Sequence, residues 1–311
     1  MKAIRMGQYG GPDVLKLVSD APKPVAGNGQ VLIQVLAASL NPIDWKIRQG
    51  YLKDDLSLTL PAILGGDFVG RVVQHTDSGL KAGDQVYGYA SPLAGGSGSF
   101  GEYCAVNASN VTHAPQNVTT QAAAALPLVG ASALQSLEEH LKLQRGQKIL
   151  IHGGGGGIGS LAIQFAKVIG AYVATTVRGD DLVYARALGA DEIIDYTAQS
   201  FETMLKNYDA VLDTVGGSTT AQSFQVLKRG GALVSMLGQP DEVLAKRHGV
   251  VAIGQLTRVT TDILNRLKDL TNTKKLKVRI AKTFSMDQYR QAFDLAEHGR
   301  AKGKVVLDYS L

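Results

Sequence analysis

The residues that could do chemistry gather around one turn. Ile149-Leu150-Ile151-His152 runs into Gly153-Gly154-Gly155-Gly156-Gly157-Ile158-Gly159, and Ser160-Leu161-Ala162-Ile163-Gln164-Phe165-Ala166 follows. The run contains Gly154-x-Gly156-x-x-Gly159. Among five consecutive glycines that pattern is nearly automatic, so its context decides what it means. An apolar strand precedes it, an apolar helix follows it, and a second strand comes at the spacing of a βαβ unit. In that setting Gly154 allows the tight turn and Gly156 lets the backbone approach a pyrophosphate. Gly157 and Ile158 open a helix whose free N–H groups meet the anion, and Gly159 lets helix and strand pack closely. A flexible glycine linker is the competing reading, but a linker would not be flanked by apolar elements on both sides.

The adenosine ribose of a dinucleotide is read at the end of the second strand, about twenty residues on, where an Asp or Glu accepts from the 2′-hydroxyl of NAD. Here the strand ends Thr175-Thr176-Val177-Arg178-Gly179. Arg178 holds the tip, and a guanidinium there pairs with a 2′-phosphate, which favours NADPH. Asp180 and Asp181 stand against this; their other reading is an N-cap and a first-turn acid of the next helix. Tyr196, after the third strand, either flanks the same phosphate or packs.

Other familiar chemistry is missing. No tyrosine has a lysine four places on, and there is no Gly-x-Ser-x-Gly elbow. The histidines (His75, His113, His140, His152, His248, His298) are isolated, without metal spacing, and read as surface or packing residues. The single cysteine, Cys104, excludes an internal disulfide and zinc sites that need two thiolates. It reads as a small packing residue in a strand and fits a reducing, cytoplasmic setting.

These residues need a scaffold to place them. A chain of 311 residues suggests two domains, and 45% apolar with 19% charged residues suits a sizeable core. The first hundred residues are β-rich, with strands predicted at Lys2–Met6, Val14–Val18, Val31–Ala38, Phe68–Gln74, Gln85–Tyr89 and Glu102–Val106, and with turns such as Ser78-Gly79. Ser91–Gly101 reads as a mobile Gly/Ser surface loop. Thr119–Leu141 reads as helix, interrupted by Pro127 and Gly130. Strands then begin at Lys148, Tyr172, Glu192, Asp209, Ala232 and Val250, with helices such as Ile158–Ile169 and Thr219–Leu227 between them. This is the pattern of a doubly wound parallel sheet. Helices at Thr260–Leu270 and Met286–Glu297, with strand-like Leu276–Phe284 and Lys304–Tyr309, form a tail that returns to the N-terminal domain. The net charge of +5 is scattered, and the run Lys274-Lys275-Leu276-Lys277-Val278-Arg279 lacks aromatics, so no nucleic-acid partner is expected. No stretch approaches the roughly 18 apolar residues of a membrane span, and the N-terminus lacks a signal core.

This arrangement resembles the medium-chain dehydrogenase/reductase superfamily. Ala37-Ala38-Ser39-Leu40-Asn41-Pro42-Ile43-Asp44 looks like that family's segment bearing the first catalytic zinc ligand, with Asn41 in place of the cysteine. Leu64-Gly65-Gly66-Asp67-Phe68-Val69-Gly70 resembles its Gly-His-Glu segment, with Gly66 in place of the histidine. The structural-zinc lobe is absent. Leu126-Pro127-Leu128-Val129-Gly130-Ala131-Ser132-Ala133 and Gly303-Lys304-Val305-Val306 also match. The likeness covers nearly the whole chain and points to the zinc-free quinone oxidoreductase and enone reductase branch.

The resemblance implies an α/β protein: a Rossmann doubly wound parallel sheet domain (119–259) plus a β-rich, GroES-like catalytic domain (1–118 with 260–311). It implies hydride transfer from NADPH to a quinone or to the β-carbon of an α,β-unsaturated carbonyl, with no metal. Asn41 would lie near the nicotinamide as a hydrogen-bond donor, or serve turn chemistry before Pro42. Asp44 would orient or cap, and Trp45 and Tyr51 would wall an acceptor pocket or belong to the core. Ser132 would approach the cofactor. Val215 and Leu237, which end parallel strands, would line its crevice. Lys304 would reach the cofactor from the tail or lie on the surface. An exposed strand at Val250-Val251-Ala252-Ile253 would pair in a homodimer. The alternative function is a sensor or structural protein that holds NADPH without turnover.

Overall fold

The computed structural model describes residues 1–54, 58–73, 79–274, 276–299 and 301–311. Gln74, His75, Ser78 and Lys275, named above, lie outside the described residues. The strands are β1 (Ala3–Met6), β2 (Leu15–Val18), β3 (Gln30–Ser39), β4 (Ala62–Ile63), β5 (Asp67–Val72), β6 (Gln85–Tyr89), β7 (Tyr103–Asn107), β8 (Val111–His113), β9 (Lys148–His152), β10 (Tyr172–Val177), β11 (Glu192–Asp195), β12 (Tyr208–Asp213), β13 (Leu227–Ser235), β14 (Val251–Gly254), β15 (Ile280–Phe284) and β16 (Lys304–Asp308). The chain divides into two units, 1–128 with 259–311, and 129–258.

The boundary lies at Leu128 rather than at residue 118. The helix Thr120–Ala124 packs on β3 and β5 and so belongs with the first unit. Gln121 Nε2 donates to Asp308 Oδ2 at 2.6 Å, and the Leu128 N–H donates to Asp67 Oδ1 at 2.8 Å.

In the first unit one sheet runs in the order β15-β16-β3-β5-β6-β8, with β7 also on β3, and a smaller sheet runs β2-β1-β4. Alternation of apolar and polar residues turns one face of these strands into a core containing Ile33, Phe68, Val86, Phe100, Cys104, Phe293 and Leu307. Burial pushes the Cys104 thiol up, which leaves it an inert packing group. The tail does return: Val306, Leu307 and Asp308 of β16 stand opposite Ser39, Ala38 and Ala37 of β3.

The segment 91–101 is no mobile loop. Ser91, Ser99 and Phe100 are buried, and its amides bond inward, Gly98 N to Ala90 O at 2.9 Å and Ser99 N to Gly65 O at 3.1 Å. Its glycines permit this approach, since a Cβ on Gly98 would lie 2.2 Å from the carbonyl oxygen of Ile63.

The second unit is a parallel sheet in the order β11-β10-β9-β12-β13-β14. Consecutive strands diverge to the two sides of β9 and β12, so the crevice at their carboxyl ends is the topological switch point where such sheets bind ligands. Two predicted helices change. Thr119–Leu141 becomes α-helical Thr120–Ala124 and Pro127–Leu134, then π-helical Gln135–His140. The Ser136 hydroxyl donates to the Ser132 carbonyl at 2.8 Å, a side chain entering the helical ladder. Thr219–Leu227 shortens to Ser218–Ser223, and a turn over 224–226, in which Gln225 N donates to Gln222 O at 3.0 Å, leads into β13.

Candidate active site

In the second unit the glycine run joins β9 to the helix Gly157–Ile169. The residue in the left-handed region is Gly153 (φ +73°), one position before the predicted Gly154. Gly154 instead abuts β10, where a Cβ would lie 2.2 Å from Thr175 Oγ1. A Cβ on Gly159 would lie 2.2 Å from Gly153 O, so helix and turn meet backbone to backbone. Gly156 is the N-cap and offers no side chain, so no capping group competes for the first N–H groups of the helix, those of Gly157, Ile158 and Gly159. A turn this close, with free backbone donors and glycine at five consecutive positions, suits a diphosphate.

Around it stand the ends of the neighbouring strands. Arg178 is exposed at the tip of β10. Tyr196 is 50% exposed beyond β11, and its N–H donates to Val177 O at 3.1 Å, which sets it beside Arg178. Asp181 lies in the first turn of the helix Asp181–Ala187, with Oδ2 2.5 Å from where a Cβ on Gly155 would be. It covers the glycine run and leaves the strand tip to Arg178. Val215 (53% exposed) and Leu237 (49%) follow β12 and β13, and Leu237 packs against Gly216. Asp213 Oδ1 accepts the N–H groups of Val215 and Gly216 at 2.8 and 3.0 Å, and Thr220 Oγ1 donates to its other oxygen. Ser132 differs from expectation: it is buried, and its hydroxyl pairs with Thr257 Oγ1 at 2.8 Å inside the unit.

His152 is neither a surface residue nor a simple packing group. It is fully buried beneath the glycine run, with Nδ1 3.0 Å from Thr176 Oγ1, Nε2 2.9 Å from Ser223 Oγ, and Phe201 edge-on at 4.5 Å. Burial lowers its pKa to about 4, against the opposing charge of Asp213. A neutral ring thus ties β9, β10 and the helix Ser218–Ser223 below the turn.

In the first unit a buried polar cluster forms where β3 ends. Asn41 caps the helix Pro42–Gln49, and its N–H donates to Asp44 Oδ2 at 2.7 Å, which gives Asp44 the capping role expected of it. Asn41 Nδ2 donates to Asp67 Oδ2 at 2.8 Å, Ser39 Oγ donates to the same oxygen at 2.9 Å, and Lys304 Nζ donates to Asn41 Oδ1. Lys304 is buried, not on the surface. Burial pushes the Asp44 carboxyl up to about 7; the Asn41 N–H opposes this and Asp67 adds to it. Burial also lowers the pKa of Lys304, against Asp67 and Asp44. Tyr51 is 72% exposed and takes no part in this cluster, while Trp45 is half-buried in the helix. Asp67 and Tyr89 received no role from the sequence; the acid beside Gly66 and the alternation of β6 were the available signals.

Known proteins now bear on the geometry. The model of the alcohol dehydrogenase GroES-like domain matches residues 27–116, and that of the zinc-binding dehydrogenase family matches residues 188–307. The 2-methylene-furan-3-one reductase of Solanum lycopersicum is 40% identical over 319 residues, spanning 99% of this chain and 79% of that protein. The chain belongs to the medium-chain dehydrogenase/reductase superfamily. Another member, the chloroplastic NADPH-dependent alkenal/one oxidoreductase of Arabidopsis thaliana, is 38% identical, over 99% of this chain and 79% of that one. The solved quinone oxidoreductase from Coxiella burnetii superposes with a TM-score of 0.89 at 34% identity, covering 99% of both chains.

The neutral histidine under the superfamily's cofactor turn has a pH signature. Unfolded, its imidazole takes up a proton near pH 6.5, but the native ring refuses it until about pH 4. Its contribution is therefore intact above pH 6.5 and is lost as pH falls through that window, by at most about 3 kcal/mol. Urea midpoints measured across the window should fall less steeply for His152→Gln than for the wild type.

Proposed function

We propose that this member of the superfamily is an NADPH-dependent, zinc-independent oxidoreductase that reduces quinones or the β-carbon of α,β-unsaturated carbonyls. The observation that carries this reading is the glycine turn Gly153–Gly157, closed by Gly159, with Arg178 and Tyr196 at the adjoining strand tips. The relatives, a furanone reductase, an alkenal/one oxidoreductase and a quinone oxidoreductase, suggest the acceptor class.

NADPH, when bound, supplies the hydride. The protein's own groups do the rest. The N–H groups of Gly157, Ile158 and Gly159 meet the diphosphate, and the Arg178 guanidinium pairs with the 2′-phosphate while Tyr196 flanks it. Exposed Val215 and Leu237 give the crevice an apolar lining that holds water off. A quinone or enone is already electrophilic, so orientation carries most of the work, and solvent supplies the proton that completes the reduction.

The zinc named in the family description does not fit these residues. A Cβ on Gly66 would lie 2.1 Å from the Tyr89 ring, so that ring fills the space a histidine would need. Asn41 carries no thiolate, and the Lys304 ammonium already sits against its oxygen. No step is routed through a metal.

The setting we propose is the cytoplasm, with no nucleic-acid or membrane partner. Among the described residues no helix is long and apolar enough to cross a membrane. A homodimer would pair the open edge of β14, where Val251 is exposed.

Three outcomes follow. With EDTA present the protein should oxidise NADPH on addition of a quinone or alkenal, and the ratio of kcat/KM between the two acceptors should name the better class. Activity lost to chelator and restored by zinc would defeat the metal-free reading. Binding of NADPH with no acceptor reduced would favour the sensor. Arg178→Ala should raise KM for NADPH about tenfold and leave that for NADH nearly unchanged; equal changes would remove the phosphate assignment. Light scattering should give the mass of two chains, and the mass of one chain would exclude the β14 pairing as a stable contact.

A further inference from the structure

Three ionisable side chains from distant parts of the sequence meet, all buried, where β3 ends: Asp44, Asp67 and Lys304. Their bonds form a closed set. Lys304 Nζ donates to Leu40 O at 2.9 Å and to Asn41 Oδ1, and lies 3.6 Å from Asp67 Oδ2. Asp67 Oδ2 accepts from Asn41 Nδ2 and Ser39 Oγ, and Oδ1 accepts from Leu128 N. The Asn41 carboxamide is therefore held at both ends, its oxygen by an ammonium and its nitrogen by a carboxylate. Either flip of that amide would set like against like, so the ion pair dictates its orientation.

The alternatives leave costly remainders. Without the ammonium, Leu40 O and Asn41 Oδ1 would lose a donor and Asp67 would be an uncompensated buried charge, a loss of several kcal/mol. The Tyr89 ring lies against Gly66, beside Asp67. Burial, with Asp44 and Asp67 nearby, pushes the Tyr89 phenol up, so it stays protonated and adds no charge.

We infer that Lys304 is the resident cation of this cluster and a positioning residue for Asn41, reaching from the C-terminal strand to set the turn 39–44 that carries it. This rests on the proposed reductase reading where it concerns turnover. This role lies inside the first unit.

The test is a double-mutant cycle on the full chain with Lys304→Met, Asp67→Asn and both together. Lys304→Met keeps most of the side-chain volume and removes the charge. It should lower Tm by roughly 5 to 10 °C. The double variant, in which neither charge is left alone, should regain at least about half of that loss. Additive Tm changes would overturn the inference, because the two groups would then not act as a pair.

The functional half separates positioning from mere support. In the double variant kcat with the acceptor should stay about tenfold or more below wild type, since Asn41 Oδ1 still lacks its cation. The NADPH Kd, read by fluorescence, should remain within about twofold of wild type. Recovery of kcat together with Tm would reduce Lys304 to a structural role. A tenfold rise in the NADPH Kd in the restabilised double variant would show contact with the dinucleotide. Either result overturns the inference. If the wild-type chain reduces no acceptor, the functional reading falls on its own, and the Tm coupling alone then decides whether Lys304 and Asp67 form the unit described.

Discussion

A carboxylate with no surface in water has to be paired where it stands, and Asp67 is such a group. Its partners come from Ser39 and Asn41 at the end of β3, from the Leu128 amide, and from Lys304 in β16. One side chain on β5 thus constrains three other stretches of the chain. The turn into the helix Pro42–Gln49, the seating of the tail beside β3, and the point where the first unit ends all follow from satisfying it. The packed segment 91–101 closes the same region, with the Ser99 hydroxyl donating to Asp67 O at 3.1 Å.

The second unit meets the same requirement without an ion pair. Parallel strands place their carboxyl ends together, so loops and helix starts crowd one edge of the sheet. There His152, Thr176 and Ser223 exchange neutral hydrogen bonds, and Asp213 is satisfied by two backbone amides and a hydroxyl. In these bonds no ammonium or guanidinium takes part. The charged support in the first unit does the opposite and fixes polarity. Each arrangement matches what its side chains are asked to hold.

Much of this could be read from the residues, for identifiable reasons. Period and spacing located most of the strands, because β-branched runs and turn residues speak locally. The glycine turn and the place of Arg178 at a strand tip were legible because both follow from where one strand ends and the next element begins. What was not legible depends on distance in sequence. Nothing near Lys304 says that it lies against Asn41, and nothing near Ser132 says that Thr257 will claim its hydroxyl. The glycine register slipped by one because five identical residues carry no internal mark; their surroundings, Thr214 against Gly153 and Thr175 against Gly154, tell them apart. Ser91–Gly101 misled for the opposite reason. Small residues signal freedom on a surface, but the same smallness lets backbone pack on backbone in a core.

The seat of β16 beside β3 also sets an order of events. The ribosome makes residues 129–258 in one stretch, so the parallel-sheet unit can close as soon as it emerges. The other unit has its first 128 residues in hand by then, yet Ala37 and Ala38, paired with β5 on one side, still lack β16 on the other. Asp67 is also without its ammonium until residue 304 is made. During synthesis the earlier-made half is therefore the later to finish. For that interval it presents an open strand edge and an unneutralised acid, the state in which a nascent chain most needs shielding from its neighbours.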